Sequence, residues 1–308
     1  MKRFVRHIIL FLPLALLFSV LMLWLLGGTG RLRNVSYRLG GDDFLYSKSR
    51  EIASIQQVDV LFLGSSHAYR TFDPRIFAER GISVFNLGSS NQTPLQSEVL
   101  LRQYLAYCNP RLVVIEVHPD IIDYDGIESA LSLLSNVPPS WHMLPMALRS
   151  RNLRVLCTAP YAMLHNLFSP SFRSFDEPPV RGVNHYVSGG YVERDMARYT
   201  PSDEPPYHIA PLPAQTAALR RCLNYLDSRA VPFLLVQTPD TRARLDAYSN
   251  LSDFQSLMSS FGPFCALRSD ALVDTLHFFD SDHLNQRGVD LYCSQFRDSI
   301  IIPLLNTL

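Results

Sequence analysis

The run Val58-Asp59-Val60-Leu61-Phe62-Leu63-Gly64-Ser65-Ser66-His67 decides how this chain is read. Its first six residues are mostly apolar and branched or aromatic, which predicts a short strand buried on both faces of a parallel sheet. Glycine directly after such a strand lets the chain turn sharply. The small hydroxyls that follow then sit at the carboxyl edge of the sheet, where open α/β folds hold their ligands. A nucleophilic serine suits that position, but so does an ordinary turn or helix cap, and only a partner residue separates the two.

Outward from this run the same rhythm repeats. Val84-Phe85-Asn86-Leu87, Leu112 to Val117, Phe233 to Val236 and Phe264-Cys265-Ala266-Leu267 read as further strands. Pro94 to Cys108 predicts a helix with proline in its first turn, Ala214 to Arg229 a second with Ala218, Cys222 and Tyr225 on one face, and Arg287 to Ile300 a closing helix. Strands alternating with crossover helices specify an α/β fold on a parallel sheet. Residues 121–213 interrupt the pattern, because twelve of the 21 prolines lie between Pro138 and Pro213. Irregular backbone with short helices, inserted over the sheet, is expected there. Its aromatic residues Trp141, Tyr161, Phe168, Phe172, Phe175, Tyr186 and Tyr191 either line a groove or pack the insertion, and packing is the commoner use.

The amino terminus has a different solvent in view. Ile8 to Leu26 is nineteen residues without a charge, about 28 Å as a helix and matched to a bilayer core. A removable signal peptide has a shorter apolar stretch, and Gly27-Gly28-Thr29-Gly30 offers no Ala-x-Ala site, so an uncleaved anchor is expected. Lys2, Arg3 and Arg6 balance Arg31, Arg33 and Arg38 across the span, so the charge rule alone sets no orientation. The short leading tail places residues 1–30 as cytoplasmic tail and anchor, 31–54 as a linker and 55–308 as an exported domain.

Composition narrows the function further. The 308 residues carry 28 Lys plus Arg and 28 Asp plus Glu, leaving no basic surplus for a nucleic-acid backbone. Cys108, Cys157, Cys222, Cys265 and Cys293 form no C-x-x-C pair, so neither a zinc site nor a dense disulfide framework is indicated, although one bridge stays open. The partner that Ser66 needs lies in Asp280-Ser281-Asp282-His283-Leu284-Asn285-Gln286-Arg287-Gly288. A serine nucleophile requires a base and a carboxylate that holds the imidazole tautomer, and Asp280 three residues before His283 supplies both on one turn.

Together these two blocks resemble those of the SGNH (GDSL-type) esterase and acyltransferase superfamily, a strand followed by Gly-Asp-Ser and a late Asp-x-x-His-x-Asn-x-x-Gly. Gly64-Ser65-Ser66 matches the first with Ser65 at the Asp position, and Asp280, His283, Asn285 and Gly288 match the last. The resemblance spans about residues 55–300 apart from the insertion. It implies a three-layer α/β/α sandwich on a parallel, flavodoxin-like sheet, with Ser66 as nucleophile, His283 as base and Asp280 as its orienting acid. The middle blocks depart from the pattern. Asn86-Leu87-Gly88-Ser89-Ser90-Asn91 puts Asn91 where the family has an oxyanion-hole Gly, and Glu116-Val117-His118-Pro119-Asp120 puts Asp120 where it has a donating Asn. An ionised carboxylate cannot donate, so the backbone N–H groups of Ser66 and Asn91, with His118, are the oxyanion candidates. Glu116 and His118 share a strand face, yet without a third ligand a structural polar pair is expected rather than a metal site.

Within the superfamily the chain is similar to membrane-anchored members that work beside membrane-bound O-acyltransferases, such as those that alanylate teichoic acid or acetylate alginate. The likeness implies a bacterial inner-membrane protein with a periplasmic or extracellular domain. It implies acyl transfer through an ester on Ser66 to a cell-envelope glycan, with a membrane-bound O-acyltransferase as partner and no metal or organic cofactor. A plain esterase with water as acceptor, or a catalytically weakened glycan-binding or scaffold protein, would have the same fold.

Overall fold

The computed structural model describes residues 2–29 and 31–308; Met1 and the expected domain boundary at Gly30 lie outside them. The first helix, α1 (Lys2–Gly27), is followed by α2 (Leu45–Glu51), then β1 (Val60–Leu63), α3 (Ser66–Thr71), α4 (Pro74–Ala78) and β2 (Val84–Asn86). Next come α5 (Pro94–Cys108), β3 (Leu112–Glu116), α6 (Pro119–Ile122), α7 (Ile127–Asn136), α8 (Met143–Arg149), α9 (Leu153–Phe168) and α10 (Pro170–Arg173). A small sheet, β4 (Val180–Arg181), β5 (Asn184–Val187) and β6 (Tyr191–Arg194), precedes α11 (Pro213–Asp227) and β7 (Phe233–Val236). The chain closes with α12 (Arg242–Ala247), α13 (Leu251–Phe261), β8 (Phe264–Cys265), α14 (Asp274–His277), α15 (Gln286–Phe296) and, after a π-helical turn at Arg297–Ile301, α16 (Ile302–Thr307).

Five strands pair in the order β2-β1-β3-β7-β8, all parallel. Alternate side chains divide the core as a strand's period of two requires. Leu61 and Leu63 pack with Val99, Leu133 and Leu219 beneath α5, α7 and α11, whereas Val60 and Phe62 pack with Phe72, Val289 and Phe296 beneath α3 and α15. This is a three-layer α/β/α sandwich. Its strand order turns outward on both sides from the β1/β3 pair, so the crevice beyond their carboxyl ends is where this topology accepts a ligand.

Residues 31–54 were expected as a linker; Asp43 to Tyr46, Lys48, Ser49 and Ile52 are instead buried in the core. Phe44, Leu45 and Ile52 are fully buried, and the buried Lys48 donates from Nζ to the Gly88 carbonyl at 2.7 Å. Polar serines and a lysine hid an amphipathic turn whose apolar residues had partners only in three dimensions. The proline-rich insertion is also more regular than expected, because prolines at helix first turns, as in α10 and α11, begin helices rather than break them. Even Pro160 lies within the sixteen-residue α9. Its three-stranded antiparallel sheet was not anticipated. Tyr161, Phe172 and Tyr191 pack inside, while Trp141 and Phe168 are exposed. All five cysteines are free thiols. Among the described residues one helix, in α1, is long and apolar enough to cross a membrane.

Candidate active site

All five parallel strands deliver loops to one edge of the sheet, and the site is assembled there. Gly64 follows β1 at φ +145°, a conformation side chains avoid, and a Cβ on it would lie 2.5 Å from Glu116 Oε2. Glycine is therefore required both by the turn and by the close approach of β3. Ser65 caps α3, accepting the His67 N–H on its Oγ. Glu116 Oε2 accepts both the Ser65 N–H (2.7 Å) and the Ser65 Oγ–H (2.8 Å). Ser65 is thus tied down, and Ser66, the first residue of α3, is the hydroxyl that points outward.

Ser66 Oγ lies 2.8 Å from His283 Nε2. His283 Nδ1 faces Asp280 at 3.0 and 3.1 Å from its two oxygens. Asp280 Oδ1 also accepts the N–H groups of Asp282 and His283, at 3.1 and 2.7 Å, so the i, i+3 turn that sequence spacing suggested is built around its carboxylate. The turn is pinned from behind by Thr241, whose N–H and Oγ both donate to the Ser281 carbonyl. Asn285 caps α15 and donates to the Phe278 carbonyl, and a Cβ on Gly288 would overlap the His277 carbonyl. These last two motif residues shape the turn and take no part at the reacting atoms.

A second carboxylate reaches the same ring. Asp282 Oδ1 is 2.8 Å from His283 Nδ1, and its Oδ2 is 3.5 Å from His67 Nε2. Burial opposes charge on His283, yet Asp280 and Asp282 together raise it to about 9. Burial likewise opposes charge on Asp282, but the two imidazoles hold it well below the usual carboxylate range.

Sequence reading missed His67, which lies between two other imidazoles. Its ring stacks on His283 at 4.4 Å and on His118 at 3.8 Å, within 9° of parallel. Ser65 Oγ gives its only proton to Glu116, so the His67 Nδ1 at 2.9 Å from it must carry a hydrogen. His67 Nε2 is then left facing Asp282, buried and without a hydrogen-bond partner. A continuous line of contacts runs from Glu116 through Ser65, His67 and Asp282 to His283.

His118, expected as an oxyanion donor, is engaged elsewhere. It is fully buried, its Nε2 sits 2.8 Å from Asp240 Oδ1, and its Nδ1 accepts the Asp120 N–H at 3.3 Å. Burial opposes its charge, and Asp240 favours it. Nor does it pair with Glu116, which serves Ser65. Asp120 pairs with Arg244 and Tyr248, so its negative charge is compensated away from Ser66. The nitrogen and oxygen ligand atoms of His67, His118 and Asp240 do come within 4.8 Å of one another. Parallel rings nevertheless direct their in-plane lone pairs side by side rather than toward one point, so the stacked arrangement is no metal cage.

The remaining oxyanion candidates fit better. Asn91 adopts φ +50°, the left-handed region where the resemblance has glycine, and asparagine is the side-chain residue that best tolerates it. Its Nδ2 donates to Glu128 at 2.8 Å. The backbone N–H groups of Ser66 and Asn91 have no acceptor among the described residues. The Asn91 loop is held by Lys48 at Gly88 and by Asp43 Oδ2, which accepts the Ser90 N–H at 3.0 Å. Lys48 also rests 4.3 Å above the Tyr69 ring, and burial lowers it to about 7. A cavity of about 390 Å³, bordered by Asp43, Ser90, Glu128, Leu131 and Ser132, adjoins this loop.

No protein-family model matches the chain, and no curated protein matches it. Among solved structures it is similar to a candidate acylhydrolase from Bacteroides fragilis, with 12% identity, TM-score 0.40, and 87% of this chain and 98% of that one covered. It is similar too to a GDSL-like lipase from Bacteroides thetaiotaomicron, with 13% identity, TM-score 0.41, and 87% and 99% covered. Likenesses this slight carry no weight for function, which rests on the geometry above.

Proposed function

We propose that the chain is a membrane-anchored SGNH-type serine esterase or O-acyltransferase that acts on acyl esters of cell-envelope glycans through an acyl-Ser66 intermediate. The observation that carries this reading is the relay from Ser66 Oγ to His283 Nε2 and from His283 Nδ1 to Asp280, at 2.8 and 3.0 Å. Residues more than 200 positions apart meet at hydrogen-bond distance in the spatial order such a relay requires.

In this mechanism His283 Nε2 takes the Ser66 proton as Oγ attacks the acyl carbon, and the negative oxygen that forms is received by the N–H groups of Ser66 and Asn91. The bond to the leaving alcohol breaks as Nε2 returns the proton to its oxygen. An acceptor hydroxyl then attacks acyl-Ser66, its proton passing to Nε2 and on to Ser66 Oγ as the new ester departs. Asp280 and Asp282 stabilise the imidazolium that both steps share.

With the donor position of the third block held by the paired Asp120, the oxyanion hole has two N–H groups. Losing one donor costs about 2.7–4 kcal/mol in such sites, so acylation of Ser66 and transfer from it, to water as to any acceptor, are slow. Anchoring by α1, on the inner membrane with the domain exported and a membrane-bound O-acyltransferase beside it, is the setting that fits this chemistry.

The test is intact mass of the full chain in detergent after addition of an activated acetyl ester, with release of the leaving group followed in parallel. Expected are acetylation at Ser66, slow hydrolysis, acceleration on adding an oligosaccharide acceptor, and loss of all three in Ser66→Ala. Rapid multiple turnover into water would make the protein a plain esterase. No acylation of Ser66 by either the ester or a fluorophosphonate would leave a glycan-binding or scaffold protein.

A further inference from the structure

Helix α9 shows three faces, and only two of them are covered. At 100° per residue, Val155, Ala159 and Ala162 point into the core. Thr158 and Tyr161, on the next strip, meet the anchor and the chain leaving it. A Cβ on Gly27 of α1 would overlap the Tyr161 ring, the Ser36 N–H donates to Thr158 Oγ1 at 2.9 Å, and Tyr37 donates to Asn166 Oδ1 at 2.6 Å. The anchor is therefore fixed to α9 rather than joined through a loose tether.

The third strip, beside the anchor strip, carries Leu153, Leu156, Pro160, Leu164 and Leu167, spaced so that they run along the whole helix. Leu153, Leu156 and Leu167 are exposed, as is the neighbouring Phe168 at 64%. Helix α8 continues the surface with Trp141, just before it and 81% exposed, Leu144, and Leu148 at 68%. A helix apolar on its solvent side as well as its core side is unusual in water and ordinary at a membrane.

Charge points the same way. The chain is neutral overall, yet no Asp or Glu occurs in residues 1–41 or 129–175, the two stretches that meet here. Arg31, Arg33, Arg151 and Arg154 are exposed among them, as is Arg149, which also reaches Glu98 of α5 at 3.6 Å. Aromatic and leucine side chains on one surface with an arginine-rich border match the headgroup boundary of an anionic bilayer.

We infer that the α8–α9 face is a second membrane-contact surface: it lies in the lipid interface beside α1, with Trp141 and the leucines among the upper acyl chains and the arginines on anionic headgroups. The domain is then docked on the bilayer at a fixed orientation. This inference rests on the reading that α1 spans the membrane.

The two tryptophans of the chain report on the two claims separately. Full-length protein is reconstituted in phosphatidylglycerol-containing vesicles whose acyl chains carry bromine near the headgroup or near the bilayer centre. Trp141, alone in W24F, is expected to lose most of its emission to shallow bromine, to be shielded from acrylamide, and to regain emission in neutral lipid or in the added triple change L148S/L156S/F168S. These exposed positions leave fluorophosphonate labelling of Ser66 as a check that the domain is intact. Trp24, alone in W141F, reports insertion of α1. Quenched Trp24 with an acrylamide-accessible, unquenched Trp141 would overturn the docked face while leaving the anchor. Trp141 shielded from acrylamide but untouched by bromine would mean that protein covers it, a second copy or a partner, and would also overturn the lipid assignment. Unquenched Trp24 would sink the anchor itself and the inference with it.

Discussion

Removing Asp282 should make the protein faster at neutral pH. His283 must be neutral to take the Ser66 proton, and its two carboxylates lift it from the ordinary 6.5 to about 9. At pH 7 only about 1% of the rings are then free to act as base. Asp282 stands at 2.8 Å and Asp280 at 3.0 Å from the same nitrogen, so each supplies a comparable share of the rise. In Asp282→Asn the midpoint should fall by about one pH unit, equivalent to about 1.4 kcal/mol, raising the neutral fraction at pH 7 about tenfold. Asp280 meets hydrogen-bond geometry with Nδ1 and also holds the turn, so Asp280→Asn should instead lower the plateau, by up to about 10⁴ if the tautomer is lost. The assay is pre-steady-state release of the leaving group from an activated acetyl ester between pH 6 and 10, read as kcat/KM. An unchanged midpoint in Asp282→Asn, or a plateau loss as large as that of Asp280→Asn, would refute this division of labour.

Other expectations follow from the surrounding structure. Gly64→Ala forces a side chain into positive φ against Glu116 and should cost at least about 1–3 kcal/mol in denaturant unfolding, with loss of Ser66 labelling. Glu116→Ala leaves the buried Ser65 N–H without its acceptor; a loss of about 1–3 kcal/mol is expected by the same measurement. Lys48 is lowered from 10.5 to about 7 in the fold, so the unfolded chain binds more protons between those values and its contribution to stability rises with pH across that window. Thermal unfolding of Lys48→Met should lack that rise, and the gap between the two proteins should move in favour of the natural chain from pH 7 to 10. A constant gap would contradict the buried, depressed lysine.

Much of this was legible one segment at a time. The five strands were read from short apolar runs, and the observed ones begin within two residues of the expected starts, because burial on both faces leaves little else such runs can form. The α5 helix was read at its observed ends, proline at the start and Asn109 in the left-handed conformation just after the end. Segments with mixed patterns were misread. Residues 43–52 carry serine, lysine and arginine, and nothing local marks Phe44, Leu45 and Lys48 as buried. In α8 and α9 the prolines suggested breaks, while the second apolar face gave no period distinct from the first.

The site divides along the same line. Asp280 and His283 lie on one turn, and Ser66 follows a glycine that the turn demands, so local geometry alone determined the orientation of each. That they meet, that His67 is stacked between His283 and His118, that Asp240 and Asp282 set the charge of those rings, and that Lys48 holds the Asn91 loop were decided by tertiary structure. Each of these depends on which loops the strand order β2-β1-β3-β7-β8 brings to one edge. Residue type and spacing specify what a side chain can do and which way its own turn points it. Only packing decides which distant group stands 3 Å away, and in a buried site that neighbour sets both protonation state and availability.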